Sequence, residues 1–259
     1  MSGEVVYLHG VAGGDVEALV RAAKLVVDHA GVPTAIIGGL AVTCRLASAH
    51  RATGDVDLVA DEPEVVAGGR SAVESLVDAG IASRHAGDAP GRLHVQGTKV
   101  EIIETGHVDP AEMATVEPEM ARLFVLSHRW ALDTASRCTI AVVGSDVTAE
   151  VPVATAAALV AMKLHAIEDR NEDRKRASDA WDLYQLLGTH LWTGAFRDAF
   201  EVAPDGLRRV VGEAIERVFR SEVTRTRRWL RVYGEPAWAA QATEDSLTAL
   251  ADEVARALP

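Results

Sequence analysis

The chain has 259 residues, 48% hydrophobic and 25% charged, which allows a buried core without disulfide or metal staples and excludes intrinsic disorder, collagen and coiled coil. Its two cysteines, Cys44 and Cys138, are too few for a disulfide framework and lack zinc-site spacing, which points to a reducing cytoplasm. The net charge of −12 excludes a surface that is basic throughout, yet residues 1–150 hold 11 basic and 21 acidic side chains while residues 151–259 hold 15 and 17, so the second part is relatively basic.

Met1–Gly14 carries Glu4 and no basic cluster, so it does not read as a signal peptide, and no apolar run approaches the roughly 20 residues that a membrane-spanning helix needs. Val16, Leu19, Val20, Ala23 and Val26 or Val27 recur at helical spacing and predict an amphipathic helix over Asp15–His29, closed near Gly31-Val32-Pro33. Thr34–Ile37 reads as a short strand, broken by Gly38-Gly39, with a helix over Leu40–Ala49. Asp55–Ala60 alternates and predicts a strand with Asp55 and Asp57 on one face and Val56 and Leu58 on the other. A helix is expected over Ser71–Ala79, then a hairpin of Arg92–Gln96 and Lys99–Glu104 about Gly97-Thr98. Thr139–Val143 and Val147–Val151 read as strands about the turn Gly144-Ser145-Asp146. From Thr155 the pattern is helical, over 155–170, 175–188, 191–200, 206–232 and 242–257. The expected organisation is an α/β (α+β) domain over 1–152, with a mixed sheet, followed by a helical C-terminal domain over 153–259 that contributes to the active site.

Gly38 and Gly39 stand between a strand and a helix start, where backbone N–H groups can approach a phosphate at the positive end of the helix. Asp55 and Asp57 on one strand face repel each other unless a cation lies between them, and Mg²⁺ takes oxygen ligands and couples carboxylates to substrate phosphates. A third carboxylate is expected on an adjoining strand. Glu101 and Glu104 have opposite parity, and Glu101, an acid between Val100 and Ile102, is preferred as metal ligand and as general base on an attacking hydroxyl.

Lys163 and Arg170 lie about two helical turns apart on one side of a helix. Lys163 also fits a lysine snorkelling out of a core helix among Leu159, Val160, Met162 and Leu164, and Asp182 reads as the border of the apolar face of Ala180, Leu183, Tyr184 and Leu187. If 206–232 is one helix, Arg217, Arg220, Arg227, Arg228 and Arg231 share a side, which suits a nucleic-acid footprint as well as a solvated face. The nine histidines are scattered without metal-ligand spacing; His50 adjoins Arg51, and Cys44 reads as a packing residue.

The run from Gly38 to Asp57, with Glu101, resembles the nucleotidyltransferase superfamily signature. Arg51-x-Thr53-x-Asp55-x-Asp57, Lys163-x6-Arg170 and Asp179-Ala180-Trp181-Asp182-Leu183 narrow the resemblance to the AbiEii/MenT-type toxin nucleotidyltransferases, over roughly residues 33–188. The resemblance implies the nucleotidyltransferase fold and transfer of a nucleoside monophosphate from an NTP, with Mg²⁺ held by Asp55, Asp57 and Glu101. It also implies nucleotide binding through Gly38, Gly39, Thr53, Lys163 and Arg170, with Asp179 completing the catalytic set. The implied acceptor is RNA, at the 3′ end of tRNA, with Arg220, Arg227, Arg228 and Arg231 available to bind it and an antitoxin protein as partner. Two positions depart from the pattern: Gly39 stands where many members have Ser, and Glu101 where Asp is commoner. An antibiotic-modifying nucleotidyltransferase with an aminoglycoside-like acceptor would need the same carboxylates in an acidic pocket. An inactive binding module of the same fold is the other alternative, favoured by the two departures.

Overall fold

The computed structural model describes residues 4–9, 15–48, 53–62, 69–107, 109, 115–116, 119–233 and 240–258. They fall into two compact units, Met1–His107 with His128–Thr155, and Val108–Ser127 with Ala156–Pro259.

The first unit is built on a mixed sheet of seven strands: β1 (Glu4–Leu8), β2 (Thr34–Ile37), β3 (Asp55–Asp61), β4 (Arg92–Val95), β5 (Thr98–Thr105), β6 (Ser136–Val142) and β7 (Thr148–Val153). Their order is β1-β6-β7-β2-β3-β5-β4. All four residues of β2 are buried, as expected of a central strand covered on both faces. β3 runs antiparallel to β2 and parallel to β5, so the strand that carries the aspartates lies between two neighbours that fix its register. The β4–β5 hairpin turns on Gln96-Gly97, both at positive φ (49° and 83°), one residue earlier than the sequence pattern suggests. A two-residue hairpin loop of this twist needs positive φ at both central positions, and Thr98 is already paired in the ladder.

Helix α1 (Val16–His29) starts at Asp15, whose carboxylate accepts the Ala18 N–H at 3.0 Å, and buries Leu19, Val20, Ala23 and Val26 toward the sheet. Helix α2 (Gly38–Leu46) begins at the first of the two glycines, two residues before the expected start. Helix α3 (Ala72–Asp78) carries a capping box between Ser71 and Glu74. Arg45, near the end of α2, donates to the Val153 and Ala154 carbonyls and to Ser136 Oγ and pairs with Glu4, which ties α2 to β1, β6 and β7. Strand β1 and helix α4 (Glu119–Asp133) have no counterpart in the sequence expectations. β1 is an edge strand with Val5 and Tyr7 exposed, and its short apolar run Val5–Leu8 shows none of the apolar–polar alternation that marks a half-buried strand.

The remaining helices are α5 (Ala156–Asp169), α6 (Asp173–His190), α7 (Gly194–Glu201), α8 (Asp205–Glu216), α9 (Val223–Tyr233) and α10 (Glu244–Ala257). The single helix expected over 206–232 is interrupted by a π-helical turn at Arg217–Ser221. There the Glu222 N–H donates to the Arg217 carbonyl at 2.8 Å, and the buried Thr226 hydroxyl takes up the Val218 carbonyl at 2.5 Å. Arg217 and Arg220 therefore leave the helical register of Arg227, Arg228 and Arg231, and the arginines do not form one continuous stripe. No helix among the described residues is long and apolar enough to cross a membrane.

Candidate active site

In the first unit the register puts Asp55 beside Lys99 and His94 in one row across β3, β5 and β4, and Asp57 beside Glu101 and Arg92 in the next. These six share a parity and so a face. The alternate positions Val56, Leu58, Leu93, Val95, Val100 and Ile102 are buried and make the core side of the same strands. Glu101 is thus the acid in register with Asp57, while Glu104 has the other parity and is exposed.

Asp57 is also opposite Ile37, the last residue of β2, which brings it to the start of α2. Gly38 there has φ +66°, and a Cβ on it would lie 2.0 Å from Asp57 Oδ2, so the aspartate occupies the space a side chain would need. Ile37 at the N-cap of α2 has no polar side-chain group and makes no cap hydrogen bond of its own. The first turn of α2, from Gly38 onward, directs backbone N–H groups to the positive end of the helix, where they suit an anion such as phosphate. Thr53 is half-buried just before β3, whereas His50 and Arg51 lie outside the described residues. Cys44, buried within α2, has its thiol pushed up by burial, which fits a packing residue.

Two cations of the chain itself face the carboxylates. Lys99 Nζ lies 3.2 Å from Asp55 Oδ2 and 3.8 Å from Glu101 Oε2, and an Arg92 guanidinium nitrogen lies 3.7 Å from Glu101 Oε1. The donor set consists of hard carboxylate oxygens, and a positive group already stands between two of them, so the residues present fit a hard divalent cation.

Among the described residues only His85, Asp88 and His94 bring three ligand atoms within 4.8 Å of one another, so the Asp55–Asp57–Glu101 set is the more open one. Spacing alone had missed the histidine cluster, because a turn folds His85 back over β4 and stacks its ring on His94 at 3.8 Å. Asp88 is already engaged there, accepting the His85 N–H at 2.8 Å and lying 3.3 Å from His94 Nε2. The His85 amide, foremost, holds the Asp88 carboxyl below its ordinary range.

The second unit holds its own polar centre. Lys163, on the almost wholly buried α5, is 7% exposed, and its ammonium lies 2.6 Å from Asp179 and 2.7 Å from Asp182, both on α6. Residues three apart share a helix face, which is how both carboxylates reach one nitrogen. Arg170 follows α5 and its Nε lies 2.6 Å from the other Asp179 oxygen. Asp182 is fully buried on the Lys163 ammonium, a partnership that its place beside an apolar face had concealed. Of the arginines read as a nucleic-acid footprint, Arg220 pairs with Glu216 and Asp252 and Arg227 with Glu244. Arg228 is 74% exposed, 3.3 Å from Asp173, and Arg231 is exposed.

The family described as nucleotidyl transferase AbiEii toxin, type IV toxin–antitoxin system, matches residues 22–206, well over half of the chain. The chain belongs to the AbiEii family. It is accordingly an enzyme, a nucleotidyltransferase. The matched range contains β2, α2, β3, β5, α5 and α6, and so every residue of both polar centres. The chain is also similar to a crystal structure of an antigenic nucleotidyltransferase-like protein from Paracoccidioides brasiliensis, at 16% identity and a TM-score of 0.47, covering 82% of this chain and 91% of that one. No match was found among curated proteins.

Within this AbiEii chain, Lys99, Arg92 and Asp182 are the polar residues whose placement the sequence reading had not used. The alternation of β5 carried a signal for Lys99, since it shares parity with Glu101.

Proposed function

We propose that this AbiEii enzyme transfers a nucleoside monophosphate from an NTP to a hydroxyl of an RNA acceptor, the 3′ end of tRNA. It would act as a cytoplasmic toxin held in check by a cognate antitoxin protein, with residues 1–152 as catalytic domain. The observation that carries the reading is the register of Asp55, Asp57 and Glu101 on one face of the sheet, with Asp57 packed on Gly38 at the start of α2.

Asp55, Asp57 and Glu101 would hold the divalent cation, taken as Mg²⁺, which when bound neutralises charge on the triphosphate. The amides from Gly38 onward receive phosphate oxygens, and Thr53 lies just before the strand that bears the aspartates. Glu101 takes the proton of the acceptor hydroxyl as its oxygen attacks the α-phosphorus and the bond to pyrophosphate breaks. The resemblance gives Lys163 and Arg170 to the triphosphate, and Asp179 and Asp182 fix where the Lys163 charge lies. Arg228, paired to Asp173 but largely exposed, and the exposed Arg231 are the more available part of the RNA footprint, Arg220 and Arg227 being less exposed and paired to acids.

The test is incubation of the protein and Mg²⁺ with each α-labelled NTP and total tRNA, comparing wild type with Asp57→Ala on a denaturing gel. Label on tRNA from wild type, reduced at least about a hundredfold in the variant by loss of charge stabilisation, is the expected result. Absence of label on tRNA with every nucleotide would overturn the acceptor assignment, and label on an aminoglycoside instead would establish a small-molecule acceptor.

A further inference from the structure

Lys99 stands where the site's cation is needed. Its register partner on β3 is Asp55, its ammonium reaches Asp55 at 3.2 Å and Glu101 at 3.8 Å, and Arg92 reaches Glu101 from β4. We propose that the Lys99 ammonium is the resident counter-ion of this carboxylate site and competes with the divalent cation for Asp55 and Glu101, so that Lys99 sets the affinity for the metal. The inference rests on the metal-site reading of Asp55, Asp57 and Glu101 given above.

The charge count supports competition. Asp55, Asp57 and Glu101 bring three negative charges and Lys99 and Arg92 two positive ones, so the face is nearly neutral before any metal arrives. Size points the same way. Mg²⁺ binds oxygens at about 2.1 Å, much closer than an ammonium does, and must draw the carboxylates together into space the ammonium now fills. The two cannot share that space, because a unit and a double positive charge a few ångströms apart repel strongly. Lys99 is free to leave, its side chain being 35% exposed on a flexible four-carbon stem. An ordinary surface ion pair would contribute at most about 1 kcal/mol to stability and nothing to metal affinity, so the two readings separate cleanly.

The experiment titrates Mn²⁺ without nucleotide into the full chain and reads free Mn²⁺ by electron paramagnetic resonance. Lys99→Met and Lys99→Gln should bind Mn²⁺ about tenfold more tightly than wild type, and Lys99→Arg should bind within about twofold of it. Asp55→Asn, losing a ligand, should bind more weakly and so locate the ion. Equal or weaker binding in the neutral variants, with wild-type binding still sensitive to Asp55→Asn, overturns the inference and leaves the metal site standing. No Mn²⁺ bound by any form overturns both.

A second measurement needs no variant. The chain has four lysines, Lys24, Lys99, Lys163 and Lys175, so brief acetylation read by peptide mass spectrometry resolves each one. Acetylation of Lys99 should rise severalfold on adding Mg²⁺ while Lys24 and Lys175 stay constant. An unchanged Lys99 would count against displacement whatever the variants do.

Discussion

At Gly38 two constraints meet on one residue. The backbone is left-handed, and the place of a Cβ is taken by the Asp57 carboxylate. Gly38→Ala should therefore cost about 1–2 kcal/mol for the backbone alone, and more once Asp57 is pushed aside. Because the displaced atom is a proposed metal ligand, activity should fall further than stability does, by at least about a hundredfold in transfer rate. Urea unfolding alongside the labelling assay separates the two, and a folded Gly38→Ala enzyme with wild-type rate would remove Asp57 from the site. The glycine and the aspartates were legible in the sequence because a diglycine break and a period-2 strand leave strong local marks. Lys99 was not, since a lysine flanking an acid on a strand looks like any solvated pair until the neighbouring strand is placed beside it.

At the scale of elements, the α5–α6 pair is held by apolar packing around one buried ionic group. Lys163, Asp179 and Asp182 are each less than a tenth exposed, and Arg170 closes the network from the end of α5. Removing the lysine alone takes the ammonium from Asp182 and from one oxygen of Asp179, whose other oxygen stays on Arg170, so Lys163→Met should destabilise the protein by about 3–5 kcal/mol. Combining it with Asp179→Asn and Asp182→Asn should restore part of that loss, because the stranded charges disappear with their partner. Urea midpoints of the single and triple variants check this, and a triple variant less stable than Lys163→Met would show that the charges themselves do not govern the packing. Lost activity in a Lys163 variant can thus be read as chemistry only after folding is verified.

The helices of this region follow plainly from their periodicity. Their interruption does not: the π turn at Arg217–Ser221 is closed by Thr226, whose hydroxyl reaches back eight residues to Val218, a contact that no repeat of apolar residues reveals.

For the molecule as a whole, the division of the chain is discontinuous, Val108–Ser127 joining the later helices while His128–Thr155 joins the sheet. A passage along the sequence sees only neighbours in order, so it registers the change from mixed to helical character but not a segment that belongs with helices far ahead of it. One titrating group in the second unit gives stability a pH dependence of its own. His165 on α5 is partly buried, with its ring 5.0 Å from that of Phe124, and burial, foremost, pushes its pKa below the usual imidazole value against the opposing pull of Asp169. The folded protein thus binds the proton less readily than the unfolded chain, whose histidine titrates near the ordinary imidazole value of 6.5. Stability from this residue is complete above that value and is lost as pH falls through it toward the lower folded pKa. Carboxylates paired in the native state also lose stability on acidification, but they do so in His165→Gln as well, and the difference between the two proteins isolates the imidazole. Thermal melts from pH 7.5 to 5 should show wild type losing more Tm than His165→Gln once the pH drops below about 6.5, with parallel curves above it. Curves that stay parallel down to pH 5 would mean that the ring is protonated as easily in the folded unit as in water, and that Phe124 does not shield it.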